Sequence, residues 1–198
     1  MFNNFQSAPL PNSLDAKDIG LILKALDFAA QKHRDQRRKD PAASPYINHP
    51  IGLVNILWNE AGIIDPTVIV SALLHDTVED TTTTFEELEQ EFGQTIRQIV
   101  GEVTDDKSLP KQVRKQLQVE HAAHISDRAK LVKLADKIAN VRDLVNSPPT
   151  DWPLTRKQAY LAWAKQVIDQ IRGAHPPLEA LFDQSYQQGM TLLADDKK

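Results

Sequence analysis

The sequence predicts an all-α fold, and three observations carry that prediction. Apolar residues recur at the three- and four-residue spacing of amphipathic helices over most of the 198 residues. No segment alternates apolar and polar residues in the way that a half-buried strand does. Proline and glycine separate the periodic stretches, as they do at helix ends. The chain is 41% hydrophobic and 25% charged, which is typical of a globular domain.

The helices can be placed in order along the chain. Ser13 or Asp15 is a suitable cap for the first helix, and Pro50 suits the first turn of the second. Gly93 and Gly173 are expected to end later helices. The predicted helices cover about residues 15–33, 50–62, 66–76, 85–92, 95–103, 110–121, 129–144, 152–172 and 178–188.

Two of these helices differ from the rest. Residues 66–76 contain an almost wholly apolar run, which predicts a helix buried on all sides. Residues 110–121 are strongly charged, which predicts an exposed helix. Asp105 and Asp106, just before that exposed helix, are interpreted as capping groups, and His33 as a hydrogen-bonded histidine near a helix end.

The expected domain organisation is simple. Residues 1–13 are predicted to be a loose lead-in, residues 14–190 a single domain, and residues 191–198 a frayed tail. No internal linker or repeat divides the chain.

Composition excludes several classes of protein. The net charge of −4 and the isoelectric point of about 5.9 disfavour a general nucleic-acid-binding protein. The chain lacks cysteine, which excludes thiolate metal ligands and cysteine nucleophiles. Neither a secretory signal nor a membrane-spanning run is visible, so a cytoplasmic protein without a membrane partner is expected.

The most informative stretch is ALLHDTVEDT, residues 72–81. An apolar helix leads directly into His75 and Asp76, and Glu79 and Asp80 follow within one helical turn. Negative charges this close together are unfavourable unless a cation or shared protons compensate. The pattern therefore predicts a divalent metal bound here, with the later acidic pair beside it to move protons.

Two further stretches supply candidate ligands. His49 follows a basic loop and lies at the start of the helix that Pro50 opens. On the predicted helix 129–144, Asp136, Asn140 and Asp143 share one face. That face is either solvated or lines a site, and the pattern leaves both interpretations open.

Together His49, His75, Asp76 and Asp136 would form a ligand set of nitrogen and oxygen without sulfur. Such a set suits manganese, iron or zinc better than magnesium or calcium, which prefer oxygen ligands. A bound metal of this kind lowers the pKa of water enough to give a nucleophile near neutral pH. Glu79 or Asp80 could then exchange a proton with that water or with a leaving group.

At this point the sequence resembles a known family. It is similar to the HD phosphohydrolase superfamily, and more closely to the hydrolase domain of the RelA/SpoT family and its stand-alone small alarmone hydrolases. The resemblance covers about residues 20–190. The matching motifs are RRKDP (37–41), PYINHP (45–50), ALLHDTVEDT (72–81), EVTDDK (102–107) and VKLADKIAN (132–140).

The resemblance implies an all-α bundle of helices with a central metal site and a manganese-dependent hydrolase that removes the 3′-pyrophosphate of (p)ppGpp. It places the metal on His49, His75, Asp76 and Asp136, and the catalytic pair at Glu79 and Asp80. Arg38 would stack on the guanine base, with Lys39 and Tyr46 near the nucleotide. Asn140 would lie near the ribose or base, and Lys111 and Arg156 would hold phosphates.

Two alternatives remain open from sequence. One is a phosphatase for another nucleotide, such as the 2′-phosphate of NADPH. The other is a nucleotide-binding regulatory module with an inactive metal site, although the intact Glu79–Asp80 pair disfavours it. The oligomeric state does not follow from the sequence.

Overall fold

The structure is a computed structural model that describes residues 13–195, and the regular elements within that range are helical. The all-α prediction is confirmed. Residues 1–12 of the predicted lead-in and 196–198 of the predicted tail lie outside the described residues, whereas 191–195 belong to the last helix. The division into lead-in, domain and tail stays a prediction. The helices are α1 (Ala16–Lys32), α2 (Asn48–Asn55), α3 (Pro66–Leu74), α4 (Thr77–Asp80), α5 (Phe85–Phe92), α6 (Gln94–Val103), α7 (Lys111–Ala122), α8 (Asp127–Asn146), α9 (Leu154–Asp169) and α10 (Pro176–Asp195).

Helix α3 is the centre of the bundle. Every side chain from Val68 to Leu74 is buried, as the apolar run predicts. Asp65 caps the helix by accepting a hydrogen bond from the Thr67 N–H, and Pro66 occupies its first turn. Because α3 packs against α1, α2, α6 and α8, its C-terminal end points into the middle of the domain.

Helix α8 is the second central element. Its apolar stripe, including Val132, Leu134, Ile138 and Val141, is buried against neighbouring helices. Helices α2, α3, α6, α9 and α10 all contact α8, and its polar residues Asp136, Asn140 and Asp143 line cavities. This packing brings the carboxylates of α8 near the ends of two other helices.

Most helix boundaries agree with the sequence prediction, but two do not. After α2, residues Ile56–Glu60 form one π-helical turn, in which the Ala61 N–H donates to the Ile56 carbonyl. The last helix continues to Asp195 instead of ending near residue 188. Within residues 13–195, no helix is both long and apolar enough to cross a bilayer.

Gly189 lies in α10 just beyond the predicted end of the helix, at a close crossing with two other helices. A Cβ atom at this buried position would lie 3.0 Å from a methyl group of Leu161 and 3.3 Å from one of Val145. The glycine therefore allows α10 to approach α8 and α9 closely, and it does not end the helix.

We expect Gly189→Leu to lower the free energy of unfolding by about 1–3 kcal/mol, because the larger side chain overpacks this helix crossing. Thermal unfolding measures the change. Gly20→Leu is the matched control, since nothing lies within 4 Å of a Cβ at Gly20 on exposed α1. A Gly189→Leu protein as stable as the control would contradict the close approach.

Candidate active site

Three side chains from separate segments of the chain meet near the centre of the bundle. His49 lies on α2, His75 directly follows α3, and Asp136 lies on α8. One ligand atom from each lies within 4.8 Å of the others. His49 Nε2 is 3.3 Å from Asp136 Oδ1, and His75 Nε2 is 3.9 Å from the same oxygen.

Asp76 lies at the edge of this cluster. Its Oδ2 is 2.9 Å from His75 Nε2 and 3.8 Å from His49 Nε2. The Tyr46 hydroxyl donates a hydrogen bond to the same oxygen. The structure thus brings together the four residues predicted as metal ligands, and their role as ligands stays a prediction.

The protonation pattern of His75 suits a cation. Its Nδ1 donates to the Ala72 carbonyl at 2.9 Å, so in the neutral ring Nε2 carries the lone pair. Nε2 is buried and faces the carboxylate oxygens of Asp76 and Asp136, without a hydrogen bond of good geometry. Acceptor atoms that face each other in this way need a proton or a metal ion between them.

The electrostatics of the metal-free cluster agree with that requirement. Burial lowers the pKa of His75, but Asp76 and Asp136 outweigh burial and raise the pKa to about 9. Burial raises the pKa of Asp76, but His75 and His49 outweigh it and lower the pKa. A cluster that binds a proton this strongly has the negative potential that attracts a divalent cation.

Neighbouring groups on α8 hold Asp136 in place. Lys137 Nζ donates to Asp136 Oδ2 at 2.9 Å, and the Asn140 amide donates to Oδ1. Both Asp136 and Lys137 lie in the interior of the site, where their ion pair is shielded from water. The carboxylate is therefore fixed in orientation before any ligand binds.

Glu79 and Asp80 lie on the single turn of α4 and line the same cavity of about 200 Å³ as the histidines and Asp136. Glu79 Oε2 accepts a hydrogen bond from the Asp105 N–H at 3.0 Å. Burial and neighbouring carboxylates raise the pKa of Glu79 to about 7, although that hydrogen bond opposes the shift. Asp80 is bound on one oxygen by Lys107 and on the other by Gln36 Nε2, at 2.9 Å.

A larger cavity of about 480 Å³ lies beside the His/Asp cluster. The predicted nucleotide-contacting residues Arg38, Lys39, Tyr46 and Asn140 all line it, together with His49 and Asp80. The Arg38 guanidinium lies 5.7 Å from the Tyr46 ring centroid and donates to Asp143 on α8. The Asp136–Asn140–Asp143 face thus lines a site and is not simply solvated.

The predicted phosphate-contacting residues are not in this cavity. Lys111 and Arg156 line a neighbouring cavity of about 390 Å³, together with Arg114 and Lys115. The two cavities share the rings of Trp152 and Tyr160 in their walls. Whether a bound nucleotide extends from one to the other stays a prediction.

Sequence reasoning missed several contacts in the site. Asp105 and Asp106 do not cap α7, which begins after Pro110 without a side-chain cap. Asp105 instead binds Glu79 through its N–H and accepts from Gln118 through its carboxylate. The EVTDDK motif was the available signal, since both Asp105 and the Lys107 that binds Asp80 belong to it.

Comparison with known proteins decides the family. Residues 25–165 match the family model described as HD domain. This chain belongs to the HD-domain family. The chain is 55% identical, over 178 residues, to guanosine-3′,5′-bis(diphosphate) 3′-pyrophosphohydrolase MESH1 of Xenopus tropicalis, covering 89% of this chain and 99% of the relative. The MESH1 of Homo sapiens is 55% identical over 172 residues, covering 86% and 96%.

A solved structure agrees with the sequence relatives. It is described as a metazoan ortholog of SpoT that hydrolyses ppGpp and plays a role in starvation responses. It superposes on this chain with a TM-score of 0.83 and 49% sequence identity, covering 89% of this chain and 97% of that one. The predicted HD-domain bundle and the RelA/SpoT-type resemblance are confirmed. The family match and the His/Asp cluster together indicate a divalent metal site.

Proposed function

We propose that this protein is a manganese-dependent hydrolase that removes the 3′-pyrophosphate of (p)ppGpp and releases GDP or GTP plus pyrophosphate. One observation carries the proposal: the His/Asp cluster and the Glu79–Asp80 pair line one small cavity, beside a larger cavity lined by Arg38 and Tyr46. The names of the MESH1 relatives support the choice of substrate.

The ligand chemistry leaves manganese, iron and zinc open, and manganese is proposed among them from the resemblance to the RelA/SpoT family. Imidazole nitrogens with carboxylate oxygens suit Mn²⁺ better than Mg²⁺, which prefers oxygen ligands. His49, His75, Asp76 and Asp136 would hold the ion. When bound, a divalent cation supplies Lewis-acid activation of water and offsets phosphate charge.

The residues of the chain account for the proton transfers. The bond that breaks joins the ribose 3′-oxygen to phosphorus, and the oxygen of the attacking water ends in pyrophosphate. Glu79 takes a proton from that water, which a carboxylate with a pKa near neutrality does well. The proton that Glu79 has taken is handed to the departing 3′-oxygen, and Asp80 orients the water while Lys107 and Gln36 hold its carboxylate.

The charges around the cavities suit an anionic nucleotide. Arg38 and Lys39 line the larger cavity, which shares His49 and Asp80 with the cavity of the acidic cluster. A pyrophosphate group could extend from the cluster toward these cations, which would offset its charge. The Arg38 guanidinium is planar and can stack on a purine ring.

Chromatographic product analysis tests the proposal. The protein is incubated with ppGpp and Mn²⁺, with a chelator control and with Mg²⁺ and Zn²⁺ in parallel. We expect GDP and pyrophosphate in equal amounts, with the highest rate in Mn²⁺. Faster release of phosphate from NADPH under the same conditions would favour the other nucleotide phosphatase. Tight binding of ppGpp without product would favour the regulatory module.

Arg38→Ala is expected to raise the KM for ppGpp by roughly 5- to 100-fold, because base stacking on such a platform contributes about 1–3 kcal/mol per base. Steady-state kinetics measure the change. Arg34→Ala is the matched control, since Arg34 is exposed and pairs only with neighbouring Asp35 within the described residues. An Arg38→Ala protein with the KM of the control would remove Arg38 from the binding site.

A further inference from the structure

A buried chain of hydrogen bonds connects the end of α1 to Asp80. His33 follows the last residue of α1 and is only 2% exposed. Its Nδ1 lies 2.6 Å from Gln36 Oε1, and Gln36 Nε2 lies 2.9 Å from Asp80 Oδ2. The sequence pattern alone gave His33 no role beyond that of a hydrogen-bonded residue at a helix end.

The chemistry of the partners fixes the direction of both hydrogen bonds. An ionised carboxylate only accepts, so the amide NH₂ of Gln36 must face Asp80. The amide oxygen of Gln36 then faces His33 and accepts, so Nδ1 of His33 must carry a proton. Rotating the amide by half a turn would place two acceptor oxygens against each other at Asp80 and two donors against each other at His33, so both neighbours oppose that rotation.

The surroundings of His33 keep the ring neutral. Burial lowers the pKa of His33 and outweighs the hydrogen bond to Gln36 and the nearby carboxylates, which raise it. With the proton on Nδ1, Nε2 of the neutral ring is a buried acceptor atom that carries a lone pair, and it has no hydrogen-bond partner among the described residues. The orientation of Gln36 accounts for this tautomer.

The backbone holds the chain of bonds in place. The Gln36 N–H donates to the His33 carbonyl at 2.9 Å, and the Tyr46 N–H donates to the Gln36 carbonyl at 3.1 Å. The His33 ring packs against the Tyr46 ring with centroids 4.8 Å apart. Lys107, the other partner of Asp80, is 47% exposed, so the buried side of the Asp80 carboxylate is held through Gln36.

We propose that Gln36, with its amide oriented by His33, is a positioning residue that sets the rotation of the Asp80 carboxylate in the active site. The proposal rests on the proposed function, because it requires Asp80 to orient the attacking water. A misplacement of about 1 Å in such a group can lower a rate roughly 100-fold. Disrupting this chain of hydrogen bonds from His33 through Gln36 to Asp80, called the relay below, should therefore affect kcat more than KM.

Two substitutions at His33 separate positioning from packing. His33→Phe keeps an aromatic ring against Tyr46 but has no Nδ1 proton to orient Gln36. His33→Asn loses the ring but places an amide N–H near the position of Nδ1. A positioning role predicts that His33→Phe lowers kcat roughly 10- to 100-fold with KM within about twofold, and that His33→Asn recovers most of the rate. If His33 only fills space beside Tyr46, His33→Phe should keep a higher kcat than His33→Asn.

The design contains its own controls. Gln36→Leu should lower kcat to the same extent as His33→Phe, which covers the case in which the phenylalanine variant fails to fold. Gln31→Leu should retain full kcat, since Gln31 binds only Asp27 on the exposed face of α1. Thermal unfolding confirms that each protein assayed is folded. Unchanged kcat in both Gln36→Leu and His33→Phe would overturn the relay.

Nitrogen-15 NMR of the metal-free protein gives a readout that does not depend on activity. We expect the His33 ring to be neutral with its proton on Nδ1. In Gln36→Leu we expect His33 to populate both the Nδ1–H and the Nε2–H tautomers. A proton on Nε2 in the unaltered protein would overturn the relay. If the unaltered protein fails to turn over ppGpp with Mn²⁺, the proposed function fails, while the NMR result still decides the hydrogen-bond chain.

Discussion

His49→Ala is expected to abolish binding of Mn²⁺ and, with it, turnover of ppGpp. His49 Nε2 lies 3.8 Å from Asp76 Oδ2 and 3.3 Å from Asp136 Oδ1, so its loss leaves two carboxylates facing each other with one imidazole fewer. Loss of a group that only hydrogen-bonds to a metal ligand already lowers metal affinity about 10- to 100-fold. Loss of the ligand itself should lower the affinity further.

Metal content after loading and gel filtration measures the effect, and the shift in Tm on adding Mn²⁺ measures it a second way. A ligand that binds only the folded state raises stability, so the unaltered protein should show a shift and the variant none. His124→Ala is the matched control, because His124 is exposed and lies outside the described cavities that contain the cluster. Normal metal occupancy in His49→Ala would remove His49 from the ligand set.

Glu79→Gln is expected to retain the metal and lower kcat by about 10²- to 10⁴-fold, the usual contribution of a general acid–base group. The substitution keeps the shape of the side chain, and its amide oxygen can still accept the Asp105 N–H. The ability to take up a proton is lost, together with the negative charge that lies 3.8 Å from Arg114 Nη1. Comparing metal content with kcat separates this effect from that of His49→Ala, and Glu120→Gln on the exposed surface of α7 is the control.

The pH profile provides a second test of Glu79. A base must be ionised to act, so kcat/KM should fall as pH falls through the pKa of Glu79. That pKa is about 7 without metal, and a nearby cation favours the ionised form of the carboxylate. The midpoint of the acidic limb of the kcat/KM profile should therefore lie at or below pH 7. A Glu79→Gln protein that retained both its rate and this limb would exclude Glu79 as the base.

The helices were predictable because their signals are local. Asp15 caps α1 as expected, and Gly93 ends α5 where the pattern predicted. The end of α10 was not predictable in this way, because glycine in a helical pattern can mark a stop or a close helix crossing. Only the positions of Leu161 and Val145 show that Gly189 marks a close helix crossing.

The site was predictable only in part, and for a physical reason. His75, Asp76, Glu79 and Asp80 lie within one short stretch, so their proximity follows from the chain itself. That α2 and α8 would bring His49 and Asp136 to the same point depends on packing, and here the family resemblance supplied the connection. Contacts such as Gln36 with Asp80 join residues far apart in sequence and leave no periodic signal.

The central claim is that side chains from three separate segments of the chain share one cation, and anomalous diffraction at the manganese edge from crystals grown with Mn²⁺ tests it most directly. The account predicts a single strong peak in the central cavity, roughly 2 Å from a nitrogen of His49 and of His75 and from an oxygen of Asp76 and of Asp136. A peak held by other residues, or no peak among these four at a Mn²⁺ concentration that supports turnover, would contradict it.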